Sequence, residues 1–197
     1  MNLANKITVG RMILAIIIIL ILVFPFHEVN YIWPKYLIAG KITIDFKYIL
    51  CGILFTIASL TDYIDGNIAR KNNTVTEFGK VMDAIADKVL VNGILIILAY
   101  DNFIPVLIPV IVITRDIAVD AIKMVVGRSG SAVGASFCGK AKTVFMMLGL
   151  ILVFFYNLPL SLFNLAIGNY LVFIATILSV YSGIQYYAAS KAYLAER

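Results

Sequence analysis

Six apolar runs alternate with short charged segments along this chain, and they constrain its fold more than any other feature. The runs cover residues 12–26, 48–60, 84–100, 103–113, 141–156 and 165–187. Hydrophobic residues make up 62% of the 197 residues and charged residues only 14%, whereas soluble domains carry roughly 45–50% and about 25%. The sequence therefore predicts an all-α, polytopic integral membrane protein with six transmembrane helices.

Several of these runs are shorter than the roughly 20 residues that a membrane-spanning helix needs, so the charged segments beside them must complete the crossings. The fourth run is expected to continue amphipathically to about residue 126. The segment 28–47 is predicted to be a polar loop, whose Trp33 and tyrosines are typical of a membrane interface. Because no linker or repeat is visible, residues 1–197 are expected to form a single domain.

Positive charges are distributed unevenly between the two sides. With six spans both termini lie on one side, and that side carries thirteen of the sixteen Lys and Arg residues, leaving Lys35, Lys41 and Lys47 opposite. Positively charged segments generally stay in the cytoplasm. Both termini and the charged segments, with a polar cavity among them, are therefore predicted to face the cytoplasm.

Four aspartates lie between the second and third apolar runs. Asp62 and Asp65 are three residues apart and Asp83 and Asp87 are four apart, spacings that place each pair on one face of a helix. Two adjacent helices would direct all four carboxylates at one point, where they repel each other unless a cation lies between them. Carboxylates are ligands for Mg2+, Mn2+ or Ca2+. A site for one or two divalent ions, suited to phosphoryl chemistry, is therefore predicted.

Small residues and one arginine accompany the acids. Gly66 and Ala69 share the helix face of Asp62 and would leave a groove for a large ligand such as a nucleotide. Arg70 offers a planar cation suited to phosphate, and Gly79 lies one turn before Asp83. The alternative is a solvated loop with scattered acids, but these acids adjoin apolar helices.

A second set of charges lies on the same side of the membrane. Arg115 falls within an apolar stretch, where an ionisable residue is by default a functional candidate. Its neighbour Asp116 is not expected to face it, since adjacent residues on a helix point in different directions. An anionic substrate is the expected partner, and Arg115, Lys140 and Lys142 together could bind its phosphate. The alternative is that such cations only set the topology.

The acidic segment resembles the signature of the CDP-alcohol phosphotransferases. All eight signature positions are filled in the pattern Asp62-x-x-Asp65-Gly66-x-x-Ala69-Arg70, eight residues, Gly79-x-x-x-Asp83-x-x-x-Asp87. The resemblance implies transfer of a substituted phosphoryl group from a CDP-linked donor to an alcohol, with release of CMP.

Within that family, the chain most resembles the bacterial phosphatidylglycerophosphate synthases. The marks are the opening Asn5-Lys6-Ile7-Thr8-x-x-Arg11 and the segment Gly139-Lys140-x-Lys142-Thr143, although Arg115-Asp116-Ile117 stands where those enzymes usually have Arg-Glu-Phe. This resemblance implies that CDP-diacylglycerol is the donor and the 1-hydroxyl of sn-glycerol 3-phosphate the acceptor. The products would be phosphatidylglycerol phosphate and CMP, in anionic phospholipid synthesis.

The resemblance also implies residue roles. Two Mg2+ or Mn2+ ions would be held by Asp62, Asp65, Asp83 and Asp87, with Asp87 as general base. CDP-diacylglycerol would contact Asp62, Gly66, Ala69, Arg70 and Gly79. Glycerol 3-phosphate would contact Arg115, Lys140, Lys142, Thr8 and Arg11. The expected location is the bacterial cytoplasmic membrane, with membrane lipid as a partner, a homodimer possible and no nucleic acid bound.

Three other functions share some of these features. Sibling enzymes that use serine, inositol phosphate or phosphatidylglycerol carry the same signature, but an acceptor without phosphate has little use for three cations. Membrane prenyltransferases also use paired aspartates, but they lack the Asp-Gly-x-x-Ala-Arg arrangement. A transporter would place its acids near the bilayer midplane in inverted repeats, whereas both pairs here lie at helix ends.

Overall fold

Six α-helices make up most of the fold. The computed structural model describes the backbone of residues 3–38, 40, 42–71, 77–128 and 137–195, and their side chains except at 3–7, 62–71, 77, 78, 80, 128 and 192–195. The helices are α1 (Leu3–Val23), α2 (Phe46–Lys71), α3 (Glu77–Tyr100), α4 (Leu107–Arg128), α5 (Phe137–Phe154) and α6 (Ile167–Ala195). The expected number of helices is thus present within the described ranges.

The helices extend beyond the apolar runs into the charged segments, as the sequence predicted. The 26 residues of α2, about 39 Å at 1.5 Å per residue, include the second apolar run and the first half of the acidic segment. Among the residues described, Phe137–Phe154 and Ile167–Lys191 are long and apolar enough to cross a membrane by length and composition, and Thr8–Val23 and Phe46–Thr61 are shorter apolar helices.

The turn between α3 and α4 lies at Asp101-Asn102, between the third and fourth apolar runs. Asn102 adopts a left-handed conformation with φ 63°, which asparagine tolerates better than most residues. This lets the Phe103 amide donate a 2.8 Å hydrogen bond to the carbonyl of Leu98 and so close the end of α3. Pro109 lies in the first turn of α4, where a missing N–H removes no helical hydrogen bond.

The six helices form a closed ring. Each packs mainly on two neighbours, in the order α1, α3, α4, α6, α5, α2 and back to α1. The apolar core inside the ring includes the fully buried residues Ile18, Phe55, Ile94, Val112 and Leu150. Because consecutive helices run in opposite directions, the beginnings of α1, α3 and α5 lie at the same end of the ring as the ends of α2, α4 and α6.

Helices α5 and α6 approach each other closely at two glycines. A Cβ atom added to Gly149 would lie 2.9 Å from the Val172 amide nitrogen and 3.0 Å from the Gly168 carbonyl oxygen. A Cβ atom added to Gly168 would lie 2.9 Å from the Gly149 carbonyl oxygen. Small residues allow this backbone contact, as they do between membrane helices in general.

The segment between α1 and α2, which was predicted to be a polar loop, contains regular secondary structure. A short 3-10 helix (Phe26–Val29) leads to an antiparallel hairpin of β1 (Lys35–Ile38) and β2 (Ile42–Asp45). Isoleucine, tyrosine and threonine favour strands, and Gly40 adopts a φ of 67° in the turn, which glycine tolerates without strain. The described fold is therefore a helical ring with one small sheet rather than purely helical.

Candidate active site

Two of the predicted metal-binding aspartates have described side chains, and both pair with Arg11. Asp83 and Asp87 lie one turn apart on α3. Arg11, on α1, donates to the Asp83 carboxylate, and its Nη1 lies 3.2 Å from Asp87 Oδ1. The Arg11 side chain is only 3% exposed, so its buried charge depends on these carboxylates. The two acids therefore converge on one buried cationic group.

Most of the side chains predicted to contact CDP-diacylglycerol are not among those that the structure describes. The α2 backbone is helical through Asp62, Asp65, Gly66, Ala69 and Arg70, but their side chains are not described. Gly79 lies on α3 one turn before Asp83, as predicted. Among the described side chains, no three His, Cys, Asp or Glu residues gather at one point. The four-aspartate metal centre therefore stays a prediction.

An ion pair next to the acids joins α3 to α4. Lys88, which follows Asp87 in sequence, forms a salt bridge with the carboxylate of Asp120. Asp120 lies one helical turn beyond Asp116. This bridge therefore connects the surroundings of the acid pair with the second set of charges.

Asp116 holds the two cations predicted to bind the acceptor phosphate. Its Oδ1 lies 2.9 Å from Arg115 Nη1 and 2.6 Å from Lys142 Nζ, and all three side chains are largely buried. The prediction that Asp116 would not face Arg115 is thus wrong. The spacing rule describes where Cβ atoms point, whereas the long arginine side chain bends back to its neighbour.

Arg115 is also anchored to α6. Its Nε donates a 2.9 Å hydrogen bond to the carbonyl of Ser179, and its Nη2 donates one of 2.6 Å to the hydroxyl of Ser182. A Cβ atom at Gly183 would lie 3.1 Å from the Arg115 Cγ, so the absent side chain makes room for the arginine. Sequence reasoning missed these three residues. Their only signal was two serines three positions apart in an apolar run.

The remaining predicted acceptor residues are placed differently. Lys140 is exposed, and no ion pair of it is found within the described part of the chain. Because it lies two residues before Lys142, it points to another side of α5 and does not join Lys142 at Asp116. Thr8 is half-buried on α1, one turn before Arg11. The structure thus brings Arg115 together with Lys142, and places Arg11 with the acids instead.

All of these contacts lie at one end of the ring. Arg11–Asp87 joins α1 to α3, and Lys88–Asp120 joins α3 to α4. Lys142–Asp116 joins α5 to α4, and the Arg115 hydrogen bonds join α4 to α6. The other end carries the hairpin. Charged groups from helices distant in sequence therefore converge at this end of the ring.

Comparison with protein families identifies the family of the chain. The family model described as CDP-alcohol phosphatidyltransferase matches residues 1–181 of the chain. The chain belongs to this family. It is therefore an enzyme of the transferase class, and its family and long apolar helices together make it a membrane protein.

Curated relatives cover most of the chain. The chain is 36% identical to a Bacillus subtilis protein over 95% of its own length and 94% of the relative's. It is 30% identical to a Rickettsia felis protein over 98% and 97%, and 33% identical to one from Haemophilus influenzae over 80% and 86%. All three relatives are named CDP-diacylglycerol–glycerol-3-phosphate 3-phosphatidyltransferase.

Proposed function

We propose that this protein transfers the phosphatidyl group of CDP-diacylglycerol to the 1-hydroxyl of sn-glycerol 3-phosphate, giving phosphatidylglycerol phosphate and CMP. The observation that carries the proposal is the convergence of an acid pair and a cation pair at one end of the ring. Asp83 and Asp87 supply the acids, and Arg115 and Lys142 supply the cations. The names of the relatives support the choice of donor and acceptor.

The described residues of the acid pair fit a divalent cation. Asp83 and Asp87 both contact one buried cationic group, Arg11, so their carboxylates already face a common point. With Asp62 and Asp65 they would hold one or two ions, Mg2+ or Mn2+ by ligand chemistry. Bound there, the metal would offset the charge that develops on the pyrophosphate as CMP leaves. Arg11 would neutralise whatever negative charge remains on the acids.

The donor would lie along the α2 face that carries the small residues. Gly66 and Ala69 would leave room for the cytidine, Arg70 would bind phosphate, and Gly79 would leave space on α3. The acyl chains would remain in the bilayer. The helical backbone of α2 and α3 at these positions supports a rigid binding surface.

The acceptor phosphate would bind the cations that α4 and α5 present. Arg115 has five N–H donors, of which three are directed at Asp116, Ser179 and Ser182, so two remain for phosphate oxygens. Lys142 would add a second charge-assisted bond. Lys140 and Thr8 would serve as peripheral contacts. Asp116 would hold the two cations at a fixed separation.

Asp87 would act as the general base. The acceptor hydroxyl oxygen would attack the phosphorus that carries diacylglycerol, the bond from that phosphorus to the CMP oxygen would break, and the hydroxyl proton would pass to the Asp87 carboxylate. The resemblance to the family assigns this role. The contact that Asp87 shares with Asp83, at the Arg11 side chain, supports it.

The proposed setting is the bacterial cytoplasmic membrane. Six spans would place both termini, the charged end of the ring and a polar cavity on the cytoplasmic side, where CDP-linked donors and metal ions are available. The concentration of Lys and Arg at that end supports this orientation. The match of one family model to residues 1–181 supports a single catalytic domain, and a homodimer is compatible with it.

Release of CMP by the purified protein tests the proposal. The protein is given CDP-diacylglycerol and Mg2+ with glycerol 3-phosphate, serine, inositol phosphate or phosphatidylglycerol in separate reactions. We expect release only with glycerol 3-phosphate, abolished by EDTA and restored by added Mg2+ or Mn2+. Release with another acceptor alone would move the protein to a sibling activity, and release unaffected by EDTA would refute the metal site.

A further inference from the structure

The hairpin at the end of the ring opposite the candidate active site has one apolar and one more polar face. Residues paired directly across two antiparallel strands share a face, and the pairs here are Lys35 with Asp45, Tyr36 with Ile44, Leu37 with Thr43 and Ile38 with Ile42. One face therefore carries Tyr36, Ile38, Ile42 and Ile44. The other carries Lys35, Leu37, Thr43 and Asp45.

The apolar face is covered on one strand and uncovered on the other. Ile44 on β2 is buried, whereas Tyr36 and Ile38 on β1 are 58% and 38% exposed. Leu37, on the other face of β1, is 65% exposed, so β1 is uncovered on both faces, and the apolar face differs in having Ile38 and Ile42 beside Tyr36 where the other has Lys35 and Thr43 beside Leu37. The hairpin is fixed to the ring through β2, because the Asp45 amide donates a 2.9 Å hydrogen bond to the Tyr156 hydroxyl. A firmly attached hairpin thus carries an apolar surface that the described part of the chain does not bury.

A continuous set of aromatic rings joins this hairpin to the exposed ends of two helices. Phe24 follows α1 and contacts Phe26 at 4.9 Å between ring centroids. Phe26 contacts Trp33 at 5.2 Å, and Trp33 contacts Phe46, the first residue of α2, at 6.4 Å. Phe24 and Phe46 are both exposed. In a membrane protein, outward-facing apolar helix surfaces contact lipid. These aromatic side chains therefore continue the lipid-facing surface from α1 and α2 as far as the hairpin.

The residue types around the hairpin indicate that lipid covers its exposed apolar side chains. Tryptophan and tyrosine concentrate where acyl chains meet headgroups, and Tyr31 packs on Trp33 with 5.3 Å between centroids. Ile32, between them, is 81% exposed, as expected for a side chain that contacts acyl chains. Lys35 lies on the more polar face, where it can reach lipid phosphates.

We propose that the hairpin lies in the lipid–water interface of the leaflet opposite the candidate active site. Its Tyr36, Ile38 and Ile42 side chains face the acyl chains, and Lys35 and Thr43 face the headgroups and water. The hairpin thereby holds that end of the ring at a defined depth. This inference rests on the membrane setting of the fold and does not depend on which acceptor the enzyme uses.

Spin labels on two adjacent residues of β1 test the arrangement. Ile38→Cys and Leu37→Cys, each made in a background of Cys51→Ala and Cys138→Ser, place a label on opposite faces of one strand. In vesicles of phosphatidylethanolamine and phosphatidylglycerol, we expect the label at 38 to collide more with oxygen, which dissolves in lipid. The label at 37 should collide more with a water-soluble nickel complex. Equal accessibility of both labels to the nickel complex would overturn the proposal.

The same samples distinguish lipid from a second copy of the chain. Among the described strands β1 pairs only with β2, so its other backbone edge could instead pair with β1 of another molecule. Spectral broadening in fully labelled vesicles that disappears on dilution with unlabelled protein would show such pairing and overturn the proposal.

The unmodified chain provides an independent measurement, because Trp33 is its only tryptophan. Lipids that carry a nitroxide near the headgroup should quench its fluorescence more than lipids that carry it at the end of the acyl chain. Iodide in the water should quench it weakly. Stronger quenching by iodide than by either lipid would place the hairpin outside the membrane and contradict the proposal.

Discussion

Asp87 is the residue on which the proposed chemistry depends most directly. Asp87→Asn keeps the side-chain size but removes its capacity to accept a proton. We expect turnover to fall by at least about 100-fold, the smallest contribution usual for general-base catalysis, while CDP-diacylglycerol binding remains within a few-fold of the wild type. CMP release and donor binding are the two measurements.

The matched control for Asp87→Asn is Glu28→Gln, which removes the same charge from an exposed site in the 3-10 helix at the far end of the ring. It should leave turnover unchanged. Near-normal turnover in Asp87→Asn itself would remove the base assignment.

Asp116 is predicted to act through the cations that it holds. Asp116→Asn removes the charge between Arg115 and Lys142, so the two cations repel each other and Lys142 loses the ion pair that fixes it beside Arg115. We expect the KM for glycerol 3-phosphate to rise roughly 10- to 100-fold, corresponding to about 1.5–3 kcal/mol for charge-assisted hydrogen bonds. The KM for CDP-diacylglycerol should change little. Asp116→Glu, which keeps the carboxylate, should restore much of the affinity.

Lys142→Ala should give the same selective rise in the glycerol 3-phosphate KM, since Lys142 would contact the acceptor phosphate itself. Equal increases in the KM values of donor and acceptor, in either variant, would mean that the acceptor pocket lies elsewhere. A selective increase in Lys142→Ala alone would mean that Asp116 has no positioning role.

At the scale of helices, the α5–α6 contact is the tightest that the described glycines reveal. Gly149→Ala would place a methyl carbon 2.9 Å from the Val172 amide nitrogen and 3.0 Å from the Gly168 carbonyl oxygen, closer than ordinary van der Waals contact. We expect a loss of about 1–3 kcal/mol in stability, measured as a lower thermal unfolding temperature in detergent.

Gly127→Ala is the control for this substitution. A Cβ atom at Gly127, on α4, would meet none of the described atoms within 4 Å, and alanine favours a helix by up to about 1 kcal/mol over glycine. Its unfolding temperature should stay the same or rise. Equal unfolding temperatures for the two variants would show that α5 and α6 separate without cost at Gly149.

For the whole molecule, the orientation in the membrane is the property to test. Cys138 opens α5 at the charged end and is partly exposed, whereas Cys51 is buried. In intact cells, a membrane-impermeant maleimide should leave Cys138 unlabelled until the membrane is permeabilised. Lys35→Cys, on the more polar face of the hairpin, should be labelled at once. The opposite pattern would reverse the proposed topology and place the candidate site outside the cell.

Much of this molecule could be predicted from local sequence. The apolar runs predicted the six helices because helix formation and lipid exposure depend on neighbouring residues, and the three- and four-residue spacings predicted that Asp83 and Asp87 share a face. The family signature could be recognised for the same reason, since it lies within one stretch of 26 residues. The hairpin was not predicted. The polar and aromatic residues of segment 28–47 indicated an interfacial loop, whereas its isoleucine, tyrosine and threonine residues also favour strands.

Only the tertiary structure decided which distant side chains meet. The ring order of the helices pairs Arg11 with Asp83 and Asp87, and it places Ser179 and Ser182 against Arg115, more than sixty residues away. Sequence spacing determines the direction of a side chain on its own helix, but not which helix lies opposite or how far a long cation bends. The chemistry of the site was therefore visible in the sequence, whereas its partners depended on how the helices pack.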